Sequence, residues 1–262
     1  MADKGPIVTL ITDFGTTDGY AGVVKGVLLS LAANLMIVDI THDVEPWNIR
    51  AAAWIAANTY KYFPAGTVHL AVVDPGVGTA RRPIAVVSDA GTFVGPDNGI
   101  FTAAAASEKA LAAYELTEKE FWLKPLSATF HARDIFAPVA ARLATGTPAH
   151  RLGTRIDAET LVKLPSPQIV CGQDWVEGEI VHVDRFGNLI SNIPVSATAA
   201  GATCLVNGQR IGALTSTYGS TSGGQPAVVP GSHGFVEIGV TEGSATSALH
   251  AGVGSAVRME SG

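Results

Sequence analysis

Residues Thr67 to Val73 form a largely apolar run that stops at Asp74-Pro75-Gly76-Val77-Gly78, with Arg81 and Arg82 close behind. The run reads as a buried strand, and the Pro-Gly-x-Gly segment as a tight turn. At the carboxyl end of a parallel strand, such a loop aims its polar groups into the crevice where α/β proteins bind ligands. Asp74 and Arg81 flank the glycine turn and can fold onto one site. That pair can hold a small anion, or a water about to become one.

The surrounding pattern sets the rest of the first half. Ile7 to Thr12 and Met36 to Ile40 read as strands, and Ile84 to Ser88 as another after Thr67 to Val73. Tyr20 to Ala33 reads as a helix with Asp18 as N-cap, and Pro46 opens a helix through Tyr62. Ala132 to Ala144 is helical, although Pro138 is expected to kink it or end it early. This alternation implies an α/β domain with a mostly parallel sheet covered by helices.

The pattern changes after the Gly146 to Asp174 stretch, which reads as a linker with some short structure. Strand signals then become short and alternating: Glu179 to Val183, Leu189 to Ile193, Thr203 to Val206, Gln209 to Ala213, Phe235 to Val240 and Ser255 to Met259. Asn207-Gly208 is a strong hairpin signal. The expected division is an α/β N-terminal domain over residues 1–165 and an all-β, barrel-like C-terminal domain over residues 172–262.

Composition narrows the partners. The chain is 47% hydrophobic and 15% charged, with a formal net charge of -6 and no basic run. Nucleic acid and membrane are therefore not expected partners. No basic n-region precedes a long apolar core, and no apolar run approaches the ~18 residues of a membrane span. Cys171 and Cys204 show no metal-like spacing and read as reduced thiols of a cytoplasmic protein. His42, His69, His150, His182, His233 and His250 give no metal-ligand spacing either, so no metal is expected.

The candidate chemistry is local. Asp13 ends the first strand, where its two oxygens can accept from both hydroxyls of a ribose diol, or where it simply caps its loop. Asp74 and Arg81 either form a site or an ion pair that fixes the glycine loop. Arg82, ahead of Pro83 and the next strand, is expected to be structural. His131 sits at a loop-to-helix junction, where a helix N-terminus favours anions, and Arg133 and Asp134 can pair in the first turn. Asp184, Phe186 and Asn188 share one turn, in which Asn188 can read a base edge or an amino-acid head group. Tyr218, in a polar loop, either stacks on a base or covers the barrel mouth. No Gly-x-Gly-x-x-Gly or Walker loop occurs.

Six motifs in order give the chain a resemblance. They are Thr12-Asp13-Phe14-Gly15-Thr16-Thr17-Asp18, Glu45-Pro46-Trp47, Asp74-Pro75-Gly76-Val77-Gly78 with Arg81, Phe130-His131-Ala132-Arg133-Asp134, Asp184-Arg185-Phe186-Gly187-Asn188, and Gly231-Ser232-His233-Gly234-Phe235-Val236-Glu237-Ile238. Together they resemble the S-adenosyl-L-methionine hydroxide adenosyltransferases, water-using relatives of the S-adenosylmethionine fluorinase and chlorinase. The resemblance implies hydrolysis of S-adenosyl-L-methionine to adenosine and L-methionine, with that molecule as substrate and no cofactor. It implies a homotrimer holding ligand between the N-terminal domain of one chain and the C-terminal domain of its neighbour. It implies that Asp13 binds the ribose hydroxyls and Trp47 lines the sugar and sulfonium region. Asp184 and Ser232 would hold the methionine portion, Phe186, Asn188 and Tyr218 the adenine, and Phe130 and Glu237 belong to the same substrate-binding set. Asp74, Arg81 and His131 look like the family's set for water activation. The halogenases carry a Tyr in place of Asp74, so the set argues for hydroxide. Near His233, where they carry an Arg, the sequence departs from them. A halide-using adenosyltransferase and a non-catalytic adenosine-binding module are the other readings.

Overall fold

In the computed structural model, which describes residues 5–108, 111–221 and 223–261, the chain forms two compact units, Met1–Leu164 and Pro165–Gly262. The first begins with β1 (Ile7–Thr12), α1 (Tyr20–Leu31), β2 (Met36–Thr41), α2 (Ile49–Thr59) and β3 (Thr67–Val72). It continues with β4 (Pro83–Val87), β5 (Gly91–Pro96), α3 (Thr102–Ala106), β6 (Ala112–Glu115), α4 (Ala137–Ala144) and β7 (Thr154–Ile156). Among the described residues these strands make one seven-stranded sheet, ordered β2-β1-β3-β5-β4-β6-β7. The β2-β1-β3-β5 strands run parallel, and β4, β6 and β7 extend the sheet antiparallel.

Alternation of side chains along the strands builds two cores. Leu10, Leu70 and Val72 face Val24 and Leu28 of α1 and Val139 of α4. Ile11, Ala71 and Val73 face Ala52 and Ala56 of α2 and Ala104 of α3. Helices therefore cover both sheet faces, which is why β3 is buried along its whole length.

Three local readings change. The helix expected from Pro46 starts at Ile49, because Trp47 is left-handed at φ 65 and Asn48 is the cap, accepting from Ala51 N. Asp18 does not cap α1, whose N-cap is Gly19 with no side-chain bond. The strand read over Ile84 to Ser88 is present as β4, but the sheet neighbour of β3 is β5, and β4 pairs antiparallel with β5 through the turn where Ser88 N bonds Gly91 O. The linker stretch is partly built into the first unit: β7 pairs with β6, and Arg82 bridges Asp97 and Thr160 while Asp97 also accepts from Val162 N. Arg82 thus has the structural role expected of it.

Pro138 acts one turn earlier than a simple kink. Lacking an N–H, it cannot bond the carbonyl of Asp134, which accepts from Leu123 N at 2.8 Å instead. The preceding turn, Ala132–Phe136, widens to a π turn in which Ala137 N bonds Ala132 O.

The second unit contains β8 (Val170–Cys171), β9 (Trp175–Val183), β10 (Leu189–Pro194), β11 (Thr203–Val206), β12 (Gln209–Ala213), β13 (Pro226–Pro230), β14 (Phe235–Val240), α5 (Ala245–Leu249) and β15 (Ala256–Glu260). Among the described residues its strands pair antiparallel, in the order β12-β11-β15-β9-β10-β14-β13, with β8 on β9. A bridge from Leu214, just past β12, to Val228 of β13 ties the two edges and nearly closes the barrel. Asn207 and Gly208 both have positive φ, as the hairpin signal requires. β13 gave no strand signal because a proline bounds it at each end.

Candidate active site

Parallel pairing delivers two carboxylates to one edge of the first unit. Thr12 lies opposite Val72, so Asp13 and Asp74 leave neighbouring strands at the same end. There Asp13, Trp47, Asp74, Phe130 and His131 line one open cleft of about 180 Å³. That volume is below the roughly 300 Å³ at which pockets enclosing a whole small ligand begin.

The glycine turn builds the deepest part. Val77 N bonds Asp74 O, and Thr79 N bonds Gly76 O, so the loop doubles back. Gly78 has φ +77, and a Cβ there would lie 2.4 Å from Ala128 O. Only glycine lets this turn pack on the strand of chain that leads to His131. The turn brings Arg81 back over Asp74: Arg81 Nε donates to Oδ1 at 2.9 Å and to Oδ2 at 3.0 Å, and Nη2 donates to Oδ2 as well. The pair is nearly buried, at 6% exposure for the Asp74 side chain and 10% for Arg81. Phe136, on the π turn, lies under the guanidinium at 5.0 Å.

Arg81 also fixes His131. Its Nη2 lies 3.0 Å from His131 Nδ1. A guanidinium has no acceptor, so Nδ1 accepts and the ring carries its proton on Nε2. Burial, then the Arg81 charge, push His131 below the usual histidine range, against the smaller pull of Asp74 and Asp134. His131 is therefore neutral at neutral pH, with an N–H to offer from Nε2. Asp134 behind it is buried and accepts from Ser127 N and from both Arg133 Nε and Nη2. Burial raises the Asp134 carboxyl, but the Arg133 and Ser127 bonds outweigh it and hold it low.

Asp13 Oδ2 accepts from Trp47 N at 3.0 Å, so one oxygen does cap the neighbouring loop. Trp47 is strained in backbone, and the residue is 71% exposed. A bulky residue held at positive φ with its ring in solvent is a feature that functional loops retain. Phe130 packs edge to face on Phe14 and Tyr20, which are tilted against each other, with centroids 5.2 to 6.1 Å apart. Sequence reasoning missed Phe14 as a cleft residue and Tyr20 as the ring packed against it. The signal was an aromatic on each side of the Asp13 loop.

In the second unit, Asp184, Asn188, Tyr218 and Glu237 form a separate polar cluster. Asp184 Oδ1 accepts from Phe186 N and Asn188 N, and Oδ2 from Asn188 Nδ2, each at 2.9 Å. A Cβ on Gly239 would lie 2.5 Å from Tyr218 Cε1 and 2.6 Å from Asn188 Oδ1, so both side chains press on that bare backbone. The Tyr218 hydroxyl donates to Glu237 Oε1. Burial, then Glu237, push the Tyr218 phenol well above its usual range. Phe186 stands 75% exposed at the turn tip. Ser232 is exposed in the turn closed by Gly234 N to Gly231 O, and Gly231 abuts Glu237.

Sequence comparison adds to this geometry. The description "SAM hydroxide adenosyltransferase N-terminal domain" matches residues 8–153, and its C-terminal counterpart matches residues 178–258. The chain is 40% identical to the (R)-S-adenosyl-L-methionine hydrolase of Salinispora tropica over 262 residues, 98% of each chain. Similarity to a fluorinase of Actinoplanes sp. is lower, 29% over 218 residues and 73% of each chain. The crystal structure of an uncharacterized conserved protein from Thermotoga maritima matches with a TM-score of 0.90 at 35% identity, covering 96% of this chain and 99% of that one.

Proposed function

This chain belongs to the SAM hydroxide adenosyltransferase family, and we propose that it acts by in-line attack of a water on ribose carbon 5′ of S-adenosyl-L-methionine. The activity is that of an S-adenosyl-L-methionine hydrolase, giving adenosine and L-methionine. The oxygen–carbon bond forms as the carbon–sulfur bond breaks, sulfur keeps the electron pair as a neutral thioether, and one proton is lost from the water. The leaving group needs no general acid, so the work is to position the water and favour its deprotonated form.

The observation that supports this most is the Asp74–Arg81–His131 chain at the cleft. His131 Nε2–H orients the water by donating to its oxygen. Arg81 supplies positive charge that favours hydroxide. With His131 already protonated at Nε2, Asp74 is the group of the three that accepts the water's proton. Asp13 Oδ1 takes the ribose diol, with Trp47 and Phe130 along the sugar. Asp184 and Ser232 hold the methionine portion, and Phe186, Asn188 and Tyr218 the adenine, with Glu237 behind Tyr218.

These residues divide between two units, and a homotrimer is proposed in which neighbouring chains supply the two halves of each ligand site. Mixing inactive Asp74→Asn chains with inactive Asn188→Ala chains would then restore activity in hybrid trimers. No recovery, or a fully active monomer by light scattering, defeats the shared site. Among the described residues no helix is long and apolar enough to cross a membrane. The cysteines are free, Cys171 exposed and Cys204 buried, which supports cytoplasmic residence.

Incubation with S-adenosyl-L-methionine in oxygen-18 water tests the reaction. One labelled oxygen at carbon 5′ of adenosine is expected. A 5′-halogenated nucleoside formed in the presence of halide would support the halide-using reading, and tight binding without turnover the binding module.

A further inference from the structure

Under the Asp13 loop runs a second polar chain that plays no part in activating water. Lys25 Nζ lies 2.5 Å from Asp39 Oδ2, and His42 Nε2 lies 3.2 Å from Asp39 Oδ1. The His42–Asp39 approach is close but poorly aligned as a hydrogen bond, since Nε2 finds no well-directed acceptor. A carboxylate only accepts, so the proton sits on Nε2, and Nδ1 accepts from Thr12 Oγ1 at 2.7 Å. Thr12 Oγ1 in turn accepts from Phe14 N at 3.3 Å, and His42 O accepts from Gly15 N at 2.7 Å. The two amides that follow Asp13 are thus both tied to Thr12 or His42.

Strand register makes this meeting possible. β1 and β2 pair Leu10 with Asp39 but Ile11 with Thr41, an irregularity that steps over Ile40. The step brings His42 beside Thr12, the last residue of β1. Irregularities of this kind re-aim side chains next to sites. Thr12 and His42 are both buried, at 1% and 6% exposure. Their hydrogen bond spans 30 residues and ends one residue from Asp13.

We propose that His42 is a positioning residue: through Thr12 and the Gly15 amide it holds the Asp13 carboxylate in the attitude that receives the ribose diol. The inference rests on the reading of Asp13 as the diol acceptor. The diol does not react, so the contact is the same in ground state and transition state. Loss of His42 therefore weakens binding and spares the chemical step.

The test uses the whole protein, adenosine and S-adenosyl-L-methionine. His42→Leu is expected to weaken adenosine binding by calorimetry roughly 3- to 10-fold. KM should rise by a similar factor, with kcat changed by less than about twofold. His42→Asn, whose side-chain oxygen can take the Nδ1 position, is expected to recover most of the affinity. In an Asp13→Asn background, His42→Leu should add less than about twofold, because both act on one contact. Unchanged adenosine affinity in folded His42→Leu, or full additivity with Asp13→Asn, overturns the proposal. Should His42→Leu fail to fold, Thr12→Val carries the same expectation, and unchanged affinity there overturns it equally. A wild-type protein that binds no adenosine and consumes no S-adenosyl-L-methionine defeats the functional reading, and this proposal with it.

Discussion

The two polar clusters hold themselves together by different means. At the cleft of the first unit, a full ion pair is nearly buried within the loop that follows β3, and Arg81 of that pair reaches His131 of a separate loop. In the second unit, the paired groups are a neutral phenol and a carboxylate, and Asp184 satisfies itself within one turn. A buried ion pair is weak evidence for stability, because desolvation offsets most of the Coulomb gain. The Asp184 turn, by contrast, is explained by local folding alone. Retention of the costly arrangement in the first unit, rather than an apolar filling, is what points to chemistry there.

The largest effect should come from breaking the ion pair. Asp74→Asn is expected to lower the single-turnover rate of hydrolysis roughly 10²- to 10⁴-fold, with S-adenosyl-L-methionine binding nearly intact. Arg81→Ala should act in the same direction and also destabilise by about 3–5 kcal/mol, since it leaves the Asp74 charge buried and unpaired. The double mutant should be no slower than the slower single mutant. A wild-type rate in Asp74→Asn would reduce the pair to a loop clamp and erase the contrast with the second unit.

Acid sharpens the contrast in another way. Burial lowers His69, on β3, from 6.5 to about 4. Above about pH 6.5 both the folded and unfolded chains leave it neutral. As pH falls from about 6.5 towards 4, the unfolded chain binds a proton that the folded one refuses. The first unit is therefore expected to lose up to roughly 3 kcal/mol over that window. His131, also lowered, contributes in the same direction. Urea melts at pH 7, 5.5 and 4.5 would show it, and His69→Gln should flatten the trend. A pH-independent wild-type melt would rule it out.

A smaller loss is expected from Asp13→Ala, about 1.5–3 kcal/mol of binding energy for adenosine and S-adenosyl-L-methionine alike. Both carry the same diol. Unchanged adenosine affinity by calorimetry would leave Asp13 as the cap of the Trp47 loop only. Smallest should be Tyr218→Phe, which removes one hydroxyl and leaves Glu237 without its donor. It is expected to cost about 1–2 kcal/mol of stability in thermal melts, while the single-turnover rate falls less than about tenfold. A loss as deep as that of Asp74→Asn would overturn this expectation and move the chemistry towards the second unit.

The sequence by itself determined the class of each half, because side-chain period is a local property. Apolar runs joined by helical spacing dictated β1, β2 and β3, and the Asn207-Gly208 turn dictated its hairpin. The glycine turn after β3 was legible for the same reason, since Pro75, Gly76 and Gly78 restrict the backbone wherever they stand. Tertiary structure alone decided which alternatives were real. Arg81 reaches His131 across fifty positions only because Gly78 packs on Ala128. Trp47 breaks the helix that Pro46 promised because its amide is claimed by Asp13, thirty-four positions away. Pro138 yields a π turn rather than a stop because Leu123 satisfies the carbonyl it abandons. Local chemistry fixes how a segment can bend, while partners distant in sequence fix which bend satisfies every buried polar group.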